Sequence, residues 1–269
     1  MRPAADACQQ LGTLDTLASG DSSIHRLDAR AKLAVAALFV ILVASYGRYQ
    51  VSALLPYSLF PVTLAALAGL PPGFLLRRML AALPLVLLMA ALNPVLDRAP
   101  LFQAGPLSLS GGWLSLASIL LRFALTVGTA LVLVATTRFE DLCLAAERLG
   151  LPRVFTLQMA FLYRYAFVLD GETQRLLRAR SLRAFGRKIP LSEFSSLAGG
   201  LLLRTWDRAR RIHLAMLARG FTGQFHGRRP AAWGWPETLF TLGWVALFAL
   251  MRLLHLPRLL GELATGGRG

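Results

Sequence analysis

The sequence predicts an all-α integral membrane protein with about five transmembrane helices and long amphipathic helices on the cytoplasmic side. Three observations predict this class. The 269 residues are 55% hydrophobic and only 16% charged, and the mean hydropathy is +0.55, which is more apolar than an ordinary soluble domain. Several windows without charge approach the ~20 residues that a helix needs to cross a bilayer. The positive charge is concentrated in one stretch of the chain.

The distribution of charge separates two classes of basic protein. The formal net charge is +15, and a soluble domain with such a charge would favour nucleic acid as a partner. However, residues 171–230 hold 13 Lys and Arg against 3 Asp and Glu, and such a block beside apolar windows is typical of a cytoplasmic loop. We therefore expect the lipid bilayer as a partner, and no nucleic acid.

Five apolar windows are candidates for membrane spans: 33–47, 51–70, 79–96, 113–137 and 235–256. The second window ends in "GLPPG", a turn signal that cannot continue a helix. Pro84 and Pro94 interrupt the third window. In a bundle, neighbouring helices compensate for the kinks that such prolines introduce.

Lys and Arg near the span ends predict the orientation, because these residues accumulate on the cytoplasmic side. Basic residues precede the first window, separate the second from the third, and fill the region between the fourth and the fifth. The opposite loops carry only Arg48 and Arg98. The predicted organisation is a cytoplasmic N-terminal segment (1–31), four transmembrane helices (32–137), a cytoplasmic region (138–230), a last transmembrane helix (231–257) and a tail (258–269).

The apolar piece "VFTLQMAFLYRYAFVL", residues 154–169, leaves two alternatives open. It either crosses the bilayer or lies at the interface. Its 16 residues and the internal Arg164 favour an interfacial helix over a span.

Two long helices are predicted in the cytoplasmic region. The first runs from about Val154 through Arg183. The second begins at Ser192, a candidate N-cap with Glu193 just inside, and ends at Gly220, where a helix can stop in the left-handed conformation. Its apolar residues recur at helical spacing, and Asp207 and Arg211 are spaced for an ion pair. The apolar positions are Leu202, Trp206, Ala209, Ile212 and Met216.

The end of the second helix, "AMLARGF", residues 215–221, suggests a binding element. Small side chains at Ala215 and Ala218 let a partner's backbone come close. Arg219 lies at the negative end of the helix dipole and presents a planar fork that suits a carboxylate. The alternative is a solvated basic face held against anionic lipid.

We expect no catalytic site and no metal site in this chain. Its two lysines, Lys32 and Lys188, follow Ala31 and Arg187, so neither belongs to a phosphate-binding "GK" pair. Its four histidines lack the paired spacing of helical metal sites. Arg122 interrupts the fourth window and is a candidate functional residue by its position, although a long side chain can also snorkel outward or pack against the bundle.

Three segments resemble the transmembrane T component of energy-coupling factor (ECF) transporters. "SSIHRLDARAKL" (22–33) resembles the family's "HRLDPRxKL" segment, with Ala29 in the place of the usual proline. "YRYAFVLDGETQRLLRARSLRAFG" (163–186) is similar to the cobalt-type branch, CbiQ, and "AMLARGF" matches the second Ala-Arg-Gly motif of the family at every position. The segments occur in family order, so the resemblance covers most of the chain.

The resemblance implies a non-catalytic subunit of an ATP-driven importer in a bacterial inner membrane. Such a T component joins a substrate-binding membrane subunit to two cytoplasmic ABC-type ATPases, which carry the ATP and Mg, so this chain itself would hold no cofactor. Each of two motif helices inserts into one ATPase. The second motif maps onto Ala215, Met216, Ala218, Arg219 and Gly220, and the first onto Arg183 and Ala184, where Leu182 and Ala184 replace the flanking Ala and Gly.

Two alternatives remain beside a cobalt importer. One is the T component that several vitamin importers share, and the other is a membrane-anchored adaptor whose basic region binds anionic lipid or nucleic acid. An ECF T component is expected in a gene cluster with ATPases, whereas an adaptor need not be.

The charge asymmetry predicts which loops a membrane-impermeant thiol reagent can reach. Single cysteines at Ser181 and Thr222, in a chain without Cys8 and Cys143, should be labelled only from the cytoplasmic face, and one at Ser108 only from the outer face. Labelling of Ser108 and Thr222 from the same side would contradict five spans.

Overall fold

The computed structural model describes residues 17–47, 51–91, 100–104, 107–183, 190–223 and 233–253. Helices dominate these residues, which confirms the all-α class. The chain divides into two units. The apolar unit comprises Thr16–Ala145 and Ala231–Gly269, and the basic unit comprises Met1–Asp15 and Ala146–Pro230.

The described helices are numbered in chain order. In the apolar unit they are α1 (Ser23–Arg26), α2 (Ala29–Ala44), α3 (Val51–Leu54), α4 (Leu59–Leu67), α5 (Pro72–Ala90), α6 (Gly111–Thr136) and α10 (Trp235–Leu253), with a 3₁₀ turn at Leu55–Ser58. Helix α7 (Phe139–Arg148) contains the boundary between the units, and α8 (Arg153–Arg183) and α9 (Leu191–Ala218) lie in the basic unit.

Three described helices are long and apolar enough to cross a membrane: Pro72–Ala90, Gly112–Thr136 and Trp235–Leu253. The second and third of them match the fourth and fifth predicted windows, whereas the first begins seven residues before the third window, at Pro72, and includes Arg77 and Arg78. The second window holds the shorter apolar stretch Val51–Leu67, and the first holds α2 with 16 residues. The 3₁₀ turn that divides the second window has Pro56 near its start, where the missing N–H removes a helical hydrogen bond. Five crossings stay a prediction.

An aromatic cluster forms the core of the apolar unit. Phe39 of α2, Phe60 of α4 and Phe248 of α10 are each at most 1% exposed, and their ring centroids lie 4.8 to 5.5 Å apart. The hydroxyl group of Tyr57 donates to the carbonyl oxygen of Phe248 at 3.4 Å. These contacts join three helices that are distant in sequence, and α6 packs against α2, α4 and α5.

Between the third and fourth windows, where the sequence predicts a loop, the structure contains two short strands. β1 (Pro100–Ala104) and β2 (Leu107–Ser110) pair as an antiparallel hairpin between the third and fourth windows. The sequence "LSLS" of β2 alternates apolar and polar residues, which is a strand pattern. This short hairpin leaves the all-α class unchanged.

Two local predictions for α9 were wrong. The helix begins at Leu191, and Pro190, with φ −68° and ψ 157°, takes the N-cap position instead of Ser192. A proline suits this position because its φ is fixed in an extended region and no donor is lost from the helix. Asp207 and Arg211 form no ion pair in the described part of the chain, whereas the neighbouring Arg208 pairs with Glu172 on α8.

Candidate functional site

Two ion pairs join α8 to α9 in the basic unit. The guanidinium group of Arg180 donates to Oε2 of Glu193 through Nε, at 2.7 Å, and also through Nη2. Nη1 of Arg208 lies 3.2 Å from Oε2 of Glu172. The first pair joins the end of α8 to the start of α9, and the second joins positions farther from that turn. The two helices therefore run antiparallel.

This pairing places the two predicted motif ends far apart. Arg183 ends α8 close to the start of α9, because Arg180 contacts Glu193, while Arg219 follows the last residue of α9. Helix α9 has 28 residues, which at 1.5 Å per residue span about 42 Å. The structure thus brings Ala215, Met216, Ala218, Arg219 and Gly220 together at one end and leaves Arg183 near the other.

The end of α9 has the hydrogen bonds of a Schellman motif. The N–H of Gly220 donates to the carbonyl of Leu217 at 2.9 Å, and the N–H of Phe221 donates to the carbonyl of Met216 at 3.0 Å. Arg219 is the C-cap, with φ −90°, and Gly220 has φ +76°. Gly220 therefore ends the helix in the left-handed conformation, as the sequence predicts.

The glycine at this end is required by the backbone. A Cβ atom built on Gly220 meets nothing within 4 Å, so its cost comes from the positive φ, which is unfavourable for L-residues by about 1–2 kcal/mol. The result is a tight, narrow helix end. The chain turns away immediately after Arg219 and leaves its side chain accessible.

The residues of this helix end are accessible to a partner. Ala215, Ala218, Arg219 and Gly220 are exposed, and Met216 is half-buried. Within the described residues, Arg219 has no ion pair. The guanidinium group of Arg219 thus lies beside the small side chains of Ala215 and Ala218, at the negative end of a helix dipole. This arrangement suits a narrow acidic groove on another protein.

The opposite end of the hairpin is exposed but built differently. Arg183 and Leu182 are both exposed, Leu182 by 73%. Ala184, the second residue of the predicted first motif, lies outside the described residues. A leucine beside the arginine makes this end bulkier than the Ala-Arg-Gly end of α9.

Helix α9 also exposes large apolar side chains along its length. Leu202, Leu203 and Trp206 are 69 to 70% exposed, and Leu214 and Leu217 are more than half exposed. An apolar surface of this extent marks a contact with a protein or a membrane. The helical spacing predicts Leu202 and Trp206 as members of one apolar face of the helix. It does not predict Leu203, Leu214 or Leu217, which lie outside that face.

The structure gives Arg122 a partner within the apolar unit. Nη2 of this residue donates to the carbonyl oxygen of Gly47 at 2.5 Å, just beyond the end of α2, where free carbonyl groups accept cations well. The contact agrees with packing of Arg122 against the bundle, although Nε of the same group is buried without a hydrogen-bond partner among the described residues. A role of Arg122 in transport stays a prediction.

The described residues contain no group of three or more His, Cys, Asp and Glu side chains that could hold a metal ion. Cys143, in α7, is half-buried. Burial, together with the charge of Glu140, raises the pKa of its thiol above the usual range, which disfavours the reactive thiolate. The absence of a metal site or cofactor in the whole chain stays a prediction.

Comparison with known proteins gives the family. The profile of the CbiQ family, described as cobalt transport protein, matches residues 20–230. The energy-coupling factor transporter transmembrane protein EcfT of Bacillus subtilis is 28% identical over 88% of this chain and 95% of its own length. The protein of the same name from Acidaminococcus fermentans is 27% identical over 90% of this chain and 96% of its own length.

A third relative has a different architecture. The putative fused cobalt transport protein CbiMQ of Methanocorpusculum labreanum is 32% identical over 93 residues, which are 34% of this chain and 16% of that protein. Because the family profile covers most of the sequence, the chain belongs to the CbiQ family. It is a membrane protein of the class of ECF transporter T components.

The hairpin geometry predicts the distance between spin labels attached to cysteines at Ser181 and Thr222, in a chain without its native cysteines. Double electron–electron resonance should give a narrow distribution centred near about 40 Å, the length of α9 at 1.5 Å per residue. Adding Glu193→Arg should broaden the distribution, because it removes an ion pair that is worth about 1 kcal/mol when exposed.

The charge-swapped combination of Arg180→Glu with Glu193→Arg is the matched control and should restore the narrow distribution. A mean distance below about 25 Å would contradict an antiparallel hairpin with α9 intact.

Proposed function

We propose that this chain is the coupling subunit of an ATP-driven ECF importer. It links two cytoplasmic ABC-type ATPase subunits to a separate substrate-binding membrane subunit. The observation that carries the proposal is the end of α9, where an exposed Arg219 stands between small residues and a left-handed Gly220. The family and the EcfT relatives support the same role.

The end of α9, residues 215–220, inserts into an acidic groove of an ATPase, with Arg219 as its charged contact; we call this element the plug. Its planar guanidinium group binds a carboxylate through two parallel hydrogen bonds, which fixes direction as well as affinity. Ala215 lies one turn before it on the same side of the helix, so the groove wall can approach the backbone of α9. Because Gly220 ends the helix in the left-handed conformation, the chain turns out of the groove directly after Arg219. Closure of the ATPase around nucleotide then moves the end of α9.

The opposite end of the hairpin serves the second ATPase. A separation of about 40 Å, the length of α9, is too large for both arginines to enter one groove. Arg183, with Ala184, is the corresponding contact. Leu182 is larger than the alanine of the second motif, and Ala184 stands where that motif has glycine, so this end is expected to fit its ATPase less closely.

The transported substrate is proposed to be the cobalt ion. The family and the fused relative are both named for cobalt transport. The EcfT relatives cover more of this chain, and their names specify no substrate. A T component shared by several vitamin importers is therefore the competing assignment, and uptake assays with cobalt and with vitamins distinguish the two.

The remaining assignments concern location and chemistry. The chain is proposed to lie in the bacterial inner membrane as a multi-pass protein, with its N-terminus and residues 138–230 in the cytoplasm. It is proposed to be non-catalytic, since ATP and Mg bind to the partner ATPases and no phosphate-binding loop occurs in the sequence.

If Arg219 binds a carboxylate of the ATPase, the loss of ATPase capture on reversing an arginine's charge should depend on the position of that arginine. Arg219→Glu should weaken capture of the ATPase subunits in detergent by at least about 30-fold, because reversing a charge bound to a carboxylate costs roughly 2 to 5 kcal/mol. Arg211→Glu, on the same helix and about 12 Å before it, should change capture by no more than about fivefold, since an exposed charge is worth about 1 kcal/mol or less. Quantitative pull-down measures both.

The two variants change the net charge equally, so they separate a plug from a basic surface. Equal losses for Arg219→Glu and Arg211→Glu would show that the basic unit binds by overall charge, as an anionic-lipid adaptor does. Arg183→Glu should give an intermediate loss of ATPase capture, because Leu182 and Ala184 allow a less close contact between the end of α8 and its ATPase.

A further inference from the structure

The apolar unit contains a buried cation that the proposed plug does not use. Lys32, near the start of α2, is 5% exposed. Lysine side chains are almost never buried to this extent without a partner, because removing an ammonium group from water is costly. Replacement of a buried ionic group by an apolar one is often neutral or stabilising, so stability alone is a weak reason for a lysine here.

The ammonium group of Lys32 binds the end of another helix. Its Nζ donates to the carbonyl oxygen of Thr136 at 2.9 Å, and Thr136 is the last residue of α6. The last carbonyl groups of a helix have no partner within the helix, and they carry the negative end of its dipole. Lys32 supplies both a donor and a positive charge at this point.

Two carboxylates act on the same ammonium group. Burial disfavours the charged form of Lys32, and the charges of Asp141 and Asp28 offset part of that cost. Asp28 is the N-cap of α2 and accepts from the backbone N–H of Arg30 at 2.9 Å. Asp141 lies in the first turn of α7. Lys32 therefore contacts the end of α6 directly, while the acidic side chain of Asp141, in the first turn of α7, contributes favourable charge.

The segment between these two helices is an elbow of two residues. Thr137 and Arg138 separate Thr136, the end of α6, from Phe139, the start of α7. The carbonyl oxygen of Arg138 accepts from the N–H of Leu142 at 3.0 Å. Helix α7 then crosses the boundary between the apolar unit and the basic unit. Any displacement that passes along the chain from the basic unit toward α6 must pass through this elbow.

We propose that Lys32 is a positioning residue that fixes the α6–α7 elbow, so that a displacement of α7 moves α6 and α2 and is not absorbed by bending at Thr137 and Arg138. The inference rests on the proposed coupling function, because it assigns the element that passes the motion of the plug into the membrane helices. It assigns Lys32 no contact with an ATPase or with the substrate.

The test uses Lys32→Met, which keeps an unbranched chain and removes the charge, in the full chain co-purified with the ATPase subunits of its own genome. Hydrogen–deuterium exchange is measured with and without ATP and vanadate. The expected result is unchanged ATPase capture, at least about tenfold faster exchange of the amides of residues 137–142, and loss of the vanadate-dependent change in exchange on α6 and α2. Lys32→Arg, which keeps a cationic donor, should restore both exchange patterns.

Arg77→Met is the matched control, because it removes an exposed charge from the start of α5 and should leave all three readouts as in the wild type. If Lys32→Met does not fold, Lys32→Gln takes its place, because it removes the charge and keeps a polar end in the buried site, and it should also raise exchange at residues 137–142.

The outcomes separate the inference from the function on which it rests. Failure of the wild-type chain to capture the ATPases would overturn the coupling function. A folded Lys32→Met chain that captures them and keeps wild-type exchange at residues 137–142, or keeps the vanadate response, would overturn the role of Lys32 alone. Loss of capture in the folded variant would also overturn it, because Lys32 would then act on assembly.

Discussion

The antiparallel pairing of α8 and α9 is the constraint on which the proposed function depends. Two ion pairs, Arg180 with Glu193 and Arg208 with Glu172, set the direction of one helix against the other. These pairs are partly exposed, so each contributes about 1 kcal/mol or less to the free energy of unfolding. Their main effect is to fix the antiparallel orientation of α8 and α9. The consequence is geometric. Arg183 of α8 lies near the start of α9 and Arg219 follows its end, so about 42 Å, the length of α9, separates two exposed arginines that can each contact a different partner.

The exposed surfaces indicate that the chain functions within an assembly. The apolar unit has a compact aromatic core around Phe39, yet leaves apolar side chains of α5 such as Leu88 and Met89 about 70% exposed, as expected for helices that face lipid. In the basic unit, Trp206 of α9 is equally exposed, although that helix is too polar to be buried in a bilayer. A contact with a protein partner or with the membrane interface accounts for these exposed side chains, and the proposed contact of Arg219 with an ATPase favours the protein partner.

The sequence predicted elements whose signals are local and missed those that depend on distant partners. The apolar windows located α5, α6 and α10, and the Arg-Gly pair located the left-handed end of α9 at Gly220. Neither the contact of Arg122 with Gly47, 75 residues away, nor that of Lys32 with Thr136, 104 residues away, has a local signal. Local spacing was misleading on α9, since it favoured Asp207 with Arg211 where the packing of α8 selects Arg208 with Glu172.

The central claim is that each end of the α8–α9 hairpin contacts a different ATPase subunit. Photo-crosslinking amino acids at Leu182 and Thr222, incorporated singly and together, test it most directly by the mass of the cross-linked product. The account predicts one ATPase per chain with either single site, and a product of one chain with two ATPases when both sites are present. A double-site chain that never exceeds one cross-linked ATPase, while each single site remains efficient, would contradict the two-ended coupling described here.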